Sequence, residues 1–431
     1  MQRRTMLCSS ALLTILSFWP TAHRSAVAAE AGPAGQPRPV LVVPARAAAL
    51  YVAVDLPREK LPTPPEGPWQ LAELDVRGRT GDRLPAQLVP LLSADGTPAA
   101  EHGRLVADIP PRAGAALRRF RLEPAPLADV QPADAQPNGW RFEPDRGRSL
   151  KLSDGGRPVL VYNYGTITNH SVPPSDGRRS RACYIHPLWG LEGECLTDDF
   201  PKDHYHHHGV FWTWPHVTID GHEYDLWVNQ GIRPEFVAWL GRQSGPAAAV
   251  LGVENGWFVG DRKVMIERVW LRVTAAARDE RALDLDFTWI PVDRPITLRG
   301  AEGKSYGGLT MRFAVQAEKD STITVPGGSG SADLPDTPLP WADLTAKFPG
   351  ASAPSGAAIF VPLEHPDYPP TWLTRHYGPL CIGWPGVKGQ TFPPGKPIHL
   401  SYRIWIHRAA VSPQQLKLAY QAYTTEVQWQ E

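Results

Sequence analysis

The chain has 431 residues, with 44 Lys and Arg against 44 Asp and Glu. That balance excludes a protein that grips nucleic acid or an anionic membrane by bulk electrostatics. A hydrophobic share of 42% beside 20% charged residues excludes a disordered polyelectrolyte, and 46 Pro with 38 Gly exclude a mainly helical protein.

In chain order, the N-terminus reads as a secretory signal over 1–28. Arg3 and Arg4 supply positive charge, Leu7 to Trp19 form a short apolar run, and Ala26-Val27-Ala28 ends in a small-residue cleavage site. The run is shorter than the roughly 20 residues that span a bilayer, so a periplasmic or secreted protein without a membrane span is expected. Removing 1–28 leaves a slight acidic excess and three cysteines, Cys183, Cys195 and Cys381, read as buried thiols.

Residues 29–39 read as a disordered leader and 40–124 as a small β-sandwich, with strands at Leu105–Ile109 and Phe120–Leu122. The Pro-, Ala- and Asp-rich stretch 125–139 reads as a linker. A large β-sandwich domain is expected over 140–431. Alternating Leu283, Leu285, Phe287 and Trp289 predict one strand, and Ile398, Leu400, Tyr402 and Ile404 another. Asp220-Gly221 predicts a hairpin turn. One helix is predicted, capped by Ser412 and opened by Pro413, with Leu416, Ala419, Tyr420 and Tyr423 on one face. The glycine-rich stretch around Ser329-Gly330 reads as an exposed loop.

Three segments carry candidate chemistry. The first, Cys183 to Trp214, holds His186, Asp198, Asp199, Asp203, His204, His206, His207 and His208. In an extended chain His204, His206 and His208 share a face and can hold a divalent metal with an open fourth position. One or two of the imidazoles can instead serve as acid and base without a cofactor, and a structural histidine-rich turn explains the same residues. The second segment, Gly300 to Arg312, offers Glu302 and Lys304 amid glycines that admit a ligand, or else a surface salt bridge. The third, Glu364 to Gly378, mixes His365, Trp372, Arg375, His376 and Tyr377 in a stretch too proline-rich for regular structure. Arg375 can pair with a carboxylate ligand through its planar fork. Trp212, Trp214 and Trp372, having polar neighbours, are candidates to stack on sugar rings; a β-sandwich core accounts for most of the tryptophans.

Together these segments resemble the bacterial PmoA-like family, labelled "methane oxygenase PmoA". The resemblance rests on His186-Pro187, on Asp203-His204-Tyr205-His206-His207-His208-Gly209-Val210-Phe211-Trp212, on Gly307-Gly308-Leu309-Thr310-Met311-Arg312, and on His365-Pro366-Asp367 through Pro370-Thr371-Trp372 to Arg375-His376-Tyr377-Gly378. It departs from the family pattern at His208, where many relatives carry Arg. The label implies a metal-dependent oxygenase or hydrolase. In architecture the chain is similar to galactose-mutarotase-like supersandwich proteins, which implies an all-β fold with sugar bound on a concave sheet.

The leading expectation is an exported carbohydrate-active enzyme of lyase, epimerase or hydrolase type. His204, His206 and His207 would transfer protons, with Glu302 and His376 opposite. His186, Asp199, Trp212, Lys304, Arg312, His365, Trp372, Arg375 and Tyr377 would bind a glycan or small saccharide, Arg312 and Arg375 holding a carboxylate or oxyanion. The alternatives are a non-catalytic glycan-binding protein and the metal-dependent enzyme.

Overall fold

Period-two burial marks the outer strands, while several central strands are covered on both faces. In the strand Val40–Pro44, Leu41 and Val43 are buried between half-buried neighbours, as side chains that alternate across a pleat must be. The computed structural model describes residues 39–56, 69–114, 116–125 and 139–430. The expected signal peptide, and nearly all of the leader and linker, lie outside the described residues.

The described residues form an all-β protein with one α-helix near its C-terminus. Strands between Val40 and Pro124 make one seven-stranded antiparallel sheet, completed at its edge by Gln428–Gln430, which pairs with Val40–Pro44. Its core gathers Leu41, Leu71, Leu105, Phe120 and Leu122. Two nine-stranded sheets follow. One runs from the edge strand Leu334–Pro338 through Thr371–Thr374, Pro379–Gly383, Gly308–Arg312, Val210–Thr213 and Tyr184–Leu188 to Trp140–Asp145. The other is built on the long strands Arg233–Ser244, Ala248–Val259, Arg262–Thr274, Glu280–Pro291 and Ile398–Arg408. They pack face to face around one core, with Trp212 on Phe287 at 4.8 Å between ring centroids and Trp214 on Trp289 at 5.3 Å. Trp270 Nε1 donates to Gly96 O at 2.9 Å, fastening the seven-stranded sheet to the long strands.

The predicted strands form within Pro98–Ile109, Leu117–Pro124, Glu280–Pro291 and Ile398–Arg408. The hairpin turns at Asp220 and Gly221, at φ 50° and 77°, as a two-residue turn matched to strand twist requires. The helix spans Pro413–Tyr423: Ser412 accepts from Gln415 N while the Gln415 side chain reaches back to the Ser412 backbone. It buries Leu416, Ala419 and Tyr420 against Tyr51, Trp341, Phe360 and Trp405. Two expectations are corrected. The stretch read as an exposed loop forms the strands Gly328–Gly330 and Leu334–Pro338. The proline-rich segment contains the strand Thr371–Thr374, because its prolines end before the pairing begins.

One buried charge pair crosses the core sheet. His407 is fully buried, with Nε2 donating to Asp343 Oδ1 at 2.9 Å and Nδ1 donating to Ala409 O at 2.8 Å. Burial opposes a charge on this ring, but the Asp343 carboxylate and both acceptors outweigh it and raise the imidazole pKa. A raised folded-state value contributes stability that is complete below the ordinary histidine range and is lost as pH rises through the folded value. Thermal melts across that range are therefore expected to show a falling Tm that His407→Gln flattens. Asp343→Ala should cost on the order of 3 kcal/mol in denaturant unfolding below that range, since it strands a buried cation.

Candidate functional site

The histidine segment leaves the sheet at Thr197 and returns at Val210, and backbone bonds clamp its two ends together. Asp198 N donates to Arg312 O at 3.0 Å, Gly209 N to Asp198 O at 2.8 Å and Arg312 N to Gly209 O at 2.7 Å. Within the excursion His204 N donates to Pro201 O and His207 N to His204 O, giving two successive turns. The turns abolish the alternation expected of an extended chain. His204, His206 and His207 face one cavity, whereas His208 is buried behind them, its Nδ1 2.9 Å from Asp199 Oδ1 and its ring packed on Phe200 and Phe211. The shared face expected for His204, His206 and His208 does not form. Among the described residues no three His, Cys, Asp or Glu side chains converge as metal ligands.

The cavity, of about 220 Å³, is closed by three further loops. Lys304 and Tyr306 come from the turn before the strand Gly308–Arg312, Trp227 from the loop after Tyr224, and Arg375 and Tyr377 from the turn joining Thr371–Thr374 to Pro379–Gly383. Leu373, Pro379 and Cys381 complete the wall, so among the described residues no carboxylate lines the cavity. The fully buried Arg181 anchors the Trp227 loop by donating to Leu226 O at 2.6 Å and Asn229 Oδ1 at 3.1 Å.

The rings are ordered. His204 stacks on His207 with centroids 4.7 Å apart and planes within 4°, and on Tyr377 at 5.1 Å within 6°. His206 stands edge-on to both histidines. Burial, then the neighbouring His204, His208 and Arg178, pushes His206 down to about 4. Burial, with His206 and Arg312 beside it, holds His207 well below the usual histidine range. Burial raises the Tyr306 phenol and pushes Tyr377 up to about 12. His206, His207 and both phenols are thus uncharged near neutral pH. Arg312 is buried at the end of its strand, bonding Asp203 and His207, with its guanidinium 4.8 Å from the Tyr377 ring centre. Lys304 is exposed and has neither an ion pair nor a side-chain hydrogen bond among the described residues, while Arg375 bonds Asp333 at 3.3 Å.

Of the residues expected from sequence, the structure brings together His204, His206, His207, Lys304, Arg375 and Tyr377, with Arg312 immediately behind. The rest lie elsewhere. Trp212, Trp214 and Trp372 are core residues, 2%, 0% and 0% exposed, which corrects their reading as sugar contacts. Trp212 and Trp372 lie on strands covered on both faces, Trp372 Nε1 donates to Leu339 O, and Trp214 Nε1 donates to Trp384 O. Glu302, with its side chain 85% exposed, pairs with Arg299 rather than opposing the histidines. His376 spends both ring nitrogens on Asp333 and Gly330 O outside the cavity. His365 is buried on Tyr402 and pushed down to about 4 by that burial. His186 bonds Thr197, and Asp199, raised to about 6 by burial, accepts from the Tyr184 hydroxyl. Both support the loop from beneath. Trp227, Tyr306 and Cys381 were missed, although Tyr306 sits in the same glycine-rich segment as Lys304.

Gly209 closes the histidine excursion at φ 52°, and a Cβ there would overlap the Ile185 carbonyl oxygen. Gly193 also has a positive φ, 90°, but open space around it. Gly209→Ala is expected to lower Tm well beyond Gly193→Ala, which carries only the roughly 1 kcal/mol of left-handed strain; paired thermal melts check this.

No curated protein matches the chain. A solved structure titled as a protein in the glycosyl hydrolase family 38 from Enterococcus faecalis aligns with 91% of this chain and 47% of its own, at 8% identity and a TM-score of 0.39. The chain spans about half the length of that protein. The family model that matches describes no activity, so the methane-oxygenase label gains no support from it. That model covers residues 149–421, every segment that builds the cavity included, and the chain belongs to the family of unknown function DUF6807.

Proposed function

We propose that the cavity is the active site of a carbohydrate-active enzyme that abstracts a proton from a sugar carrying an anionic group, in the manner of a lyase or epimerase. One observation carries this reading: three imidazoles share a small cavity with two cationic side chains, and no carboxylate of the described residues lines it. Glycoside hydrolysis by a pair of carboxylates needs two such groups flanking the scissile bond, so the lining favours the other two reaction types.

The chemistry follows from the lining. A carbon acid beside a carboxylate loses its proton to a neutral imidazole nitrogen, and the C–H electron pair moves into the carboxylate as an enediolate. Lys304 supplies the positive charge that this oxyanion needs, and a phenol hydroxyl of Tyr306 or Tyr377 can donate to it. Collapse of the enediolate either expels the oxygen substituent on the next carbon or takes a proton back on the opposite face. Because burial keeps His206 and His207 uncharged, neither ring sets a like charge against the base. Trp227 and Tyr377 offer flat faces for the sugar ring. Export is part of the proposal, with a mature chain starting at Ala29; N-terminal sequencing of the exported protein checks it.

The test is a panel of uronate-containing and neutral oligosaccharides, read by the unsaturated product of elimination and by solvent deuterium at the abstracted position. Turnover is expected on uronates alone. His204→Ala should lower kcat ~10²-fold or more. Acidification toward pH 4 should lower the rate, because His206, held neutral above that point by its depressed value, gains a charge beside the His204 and His207 rings. Turnover of neutral glycans alone, or saturable binding without product across the whole panel, overturns the reading; the latter favours a glycan-binding protein.

A further inference from the structure

We propose that Arg312 is a positioning residue that sets opposite tautomers on two stacked imidazoles, so that His204 presents a bare Nε2 and His207 an Nε2–H to the same cavity. The inference rests on the acid–base reading of the site, and it assigns the two halves of that chemistry to separate residues.

The argument follows from what each group can donate. A guanidinium only donates. Arg312 Nη1 lies 3.3 Å from His207 Nδ1, so that nitrogen accepts, and the ring proton of neutral His207 resides on Nε2. Arg312 Nη2 lies 3.2 and 3.1 Å from the two oxygens of Asp203. Burial favours a neutral Asp203, but the bonds from His204 and Arg312 outweigh it and keep the carboxylate ionised. An ionised carboxylate only accepts, and Asp203 Oδ2 is 2.9 Å from His204 Nδ1. In the neutral ring, His204 Nδ1 therefore carries the proton and Nε2 is the lone-pair nitrogen. Both rings turn their Nδ1 edges toward one ion pair and lie parallel within 4°, with both lining the cavity. The first ring is equipped to take a proton, the second to donate a hydrogen bond to an oxyanion formed beside it.

Arg312 suits this task because its backbone, both guanidinium tips and one face of the guanidinium are held, although its buried Nε has no hydrogen-bond partner. It is 4% exposed, its backbone N–H and carbonyl are bonded to Gly209 and Asp198, and its guanidinium lies against Tyr377. A lysine at the same position keeps the charge and loses the fork that reaches Asp203 and His207 together.

The experiment is two-bond 15N–1H correlation on protein labelled with 15N-histidine, near neutral pH, with the two rings assigned from His204→Gln and His207→Gln. No substrate is needed, so the outcome is independent of whether the oligosaccharide panel yields activity. His204 is expected as the Nδ1–H tautomer and His207 as the Nε2–H tautomer. Arg312→Lys should convert His207 to a tautomer mixture. Asp203→Asn, at a side chain 45% exposed and so tolerant of change, should convert His204 to a mixture while leaving His207 in place. Identical tautomers in the unmodified protein, or an unchanged His204 in Asp203→Asn, overturn the proposal even if Arg312→Lys fails to fold. Unchanged rings in a folded Arg312→Lys overturn it too. A purely structural role would move Tm without moving either tautomer. Where turnover is found, Arg312→Lys should reduce kcat ~10²-fold with little change in KM.

Discussion

The guanidinium of Arg312 organises the histidine side of the cavity. It joins the end of a core strand to a loop that has no regular structure, and both stacked histidines depend on it. A loop of this kind cannot hold a side chain to within a fraction of an ångström by its own turns. Here the strand does so, through a guanidinium with one arm on each partner. Arg312 also shares its backbone with the clamp that closes the histidine excursion. The same residue therefore sets where the loop sits and how its rings are oriented.

Support from below follows the same logic. Asp199 and His208 form a buried pair under the loop, and His186 bonds Thr197 at its entry. These residues carry the chemistry of a catalytic cluster and use it for construction. Gly209 finishes the arrangement, since the chain must pass the Ile185 carbonyl where no side chain fits. Burying several imidazoles together is costly only if they are charged, and each of His206, His207 and His208 is driven toward the neutral form by that burial.

The parts of this molecule that were legible in the sequence are those whose signal is local. Leu283 to Trp289 alternate because one face of their strand meets the apolar core while the other carries polar pairs such as Asp284 with Arg403, and Asp220-Gly221 turns because only that backbone region suits a tight hairpin. Ser412 with Pro413 announces the helix by satisfying its first amides. The cavity was legible in part, since Lys304, Arg375 and Tyr377 lie in short loops dense in polar and aromatic groups. Trp212 and Trp372 misled because their polar neighbours in sequence are not neighbours in space: strand residues alternate, and these strands are covered on both faces. Glu302 misled for the opposite reason, as a turn can expose a residue fully while its neighbour two positions on lines a cavity. The period-two expectation for His204, His206 and His208 failed on the turn between His204 and His207, a bond that no alternation rule registers. Trp227 belongs to a loop whose position is set by Arg181, which lies 46 residues earlier in sequence and is visible as an anchor only in three dimensions.

His407 and His207 show why residue type alone could not assign roles. Both are buried and both bond a charged side chain, and burial works against charge on each. The sign of the partner separates them. Asp343 accepts from His407 and offsets the burial, so both ring nitrogens donate and the pair fastens strands across the core. Arg312 donates to His207 and adds to the burial, so one nitrogen must accept and the ring stays neutral. The first arrangement satisfies every polar atom of the imidazole and leaves it nothing further to do. The second leaves one nitrogen facing a cavity with its proton in a defined place, which is the condition a reacting site requires.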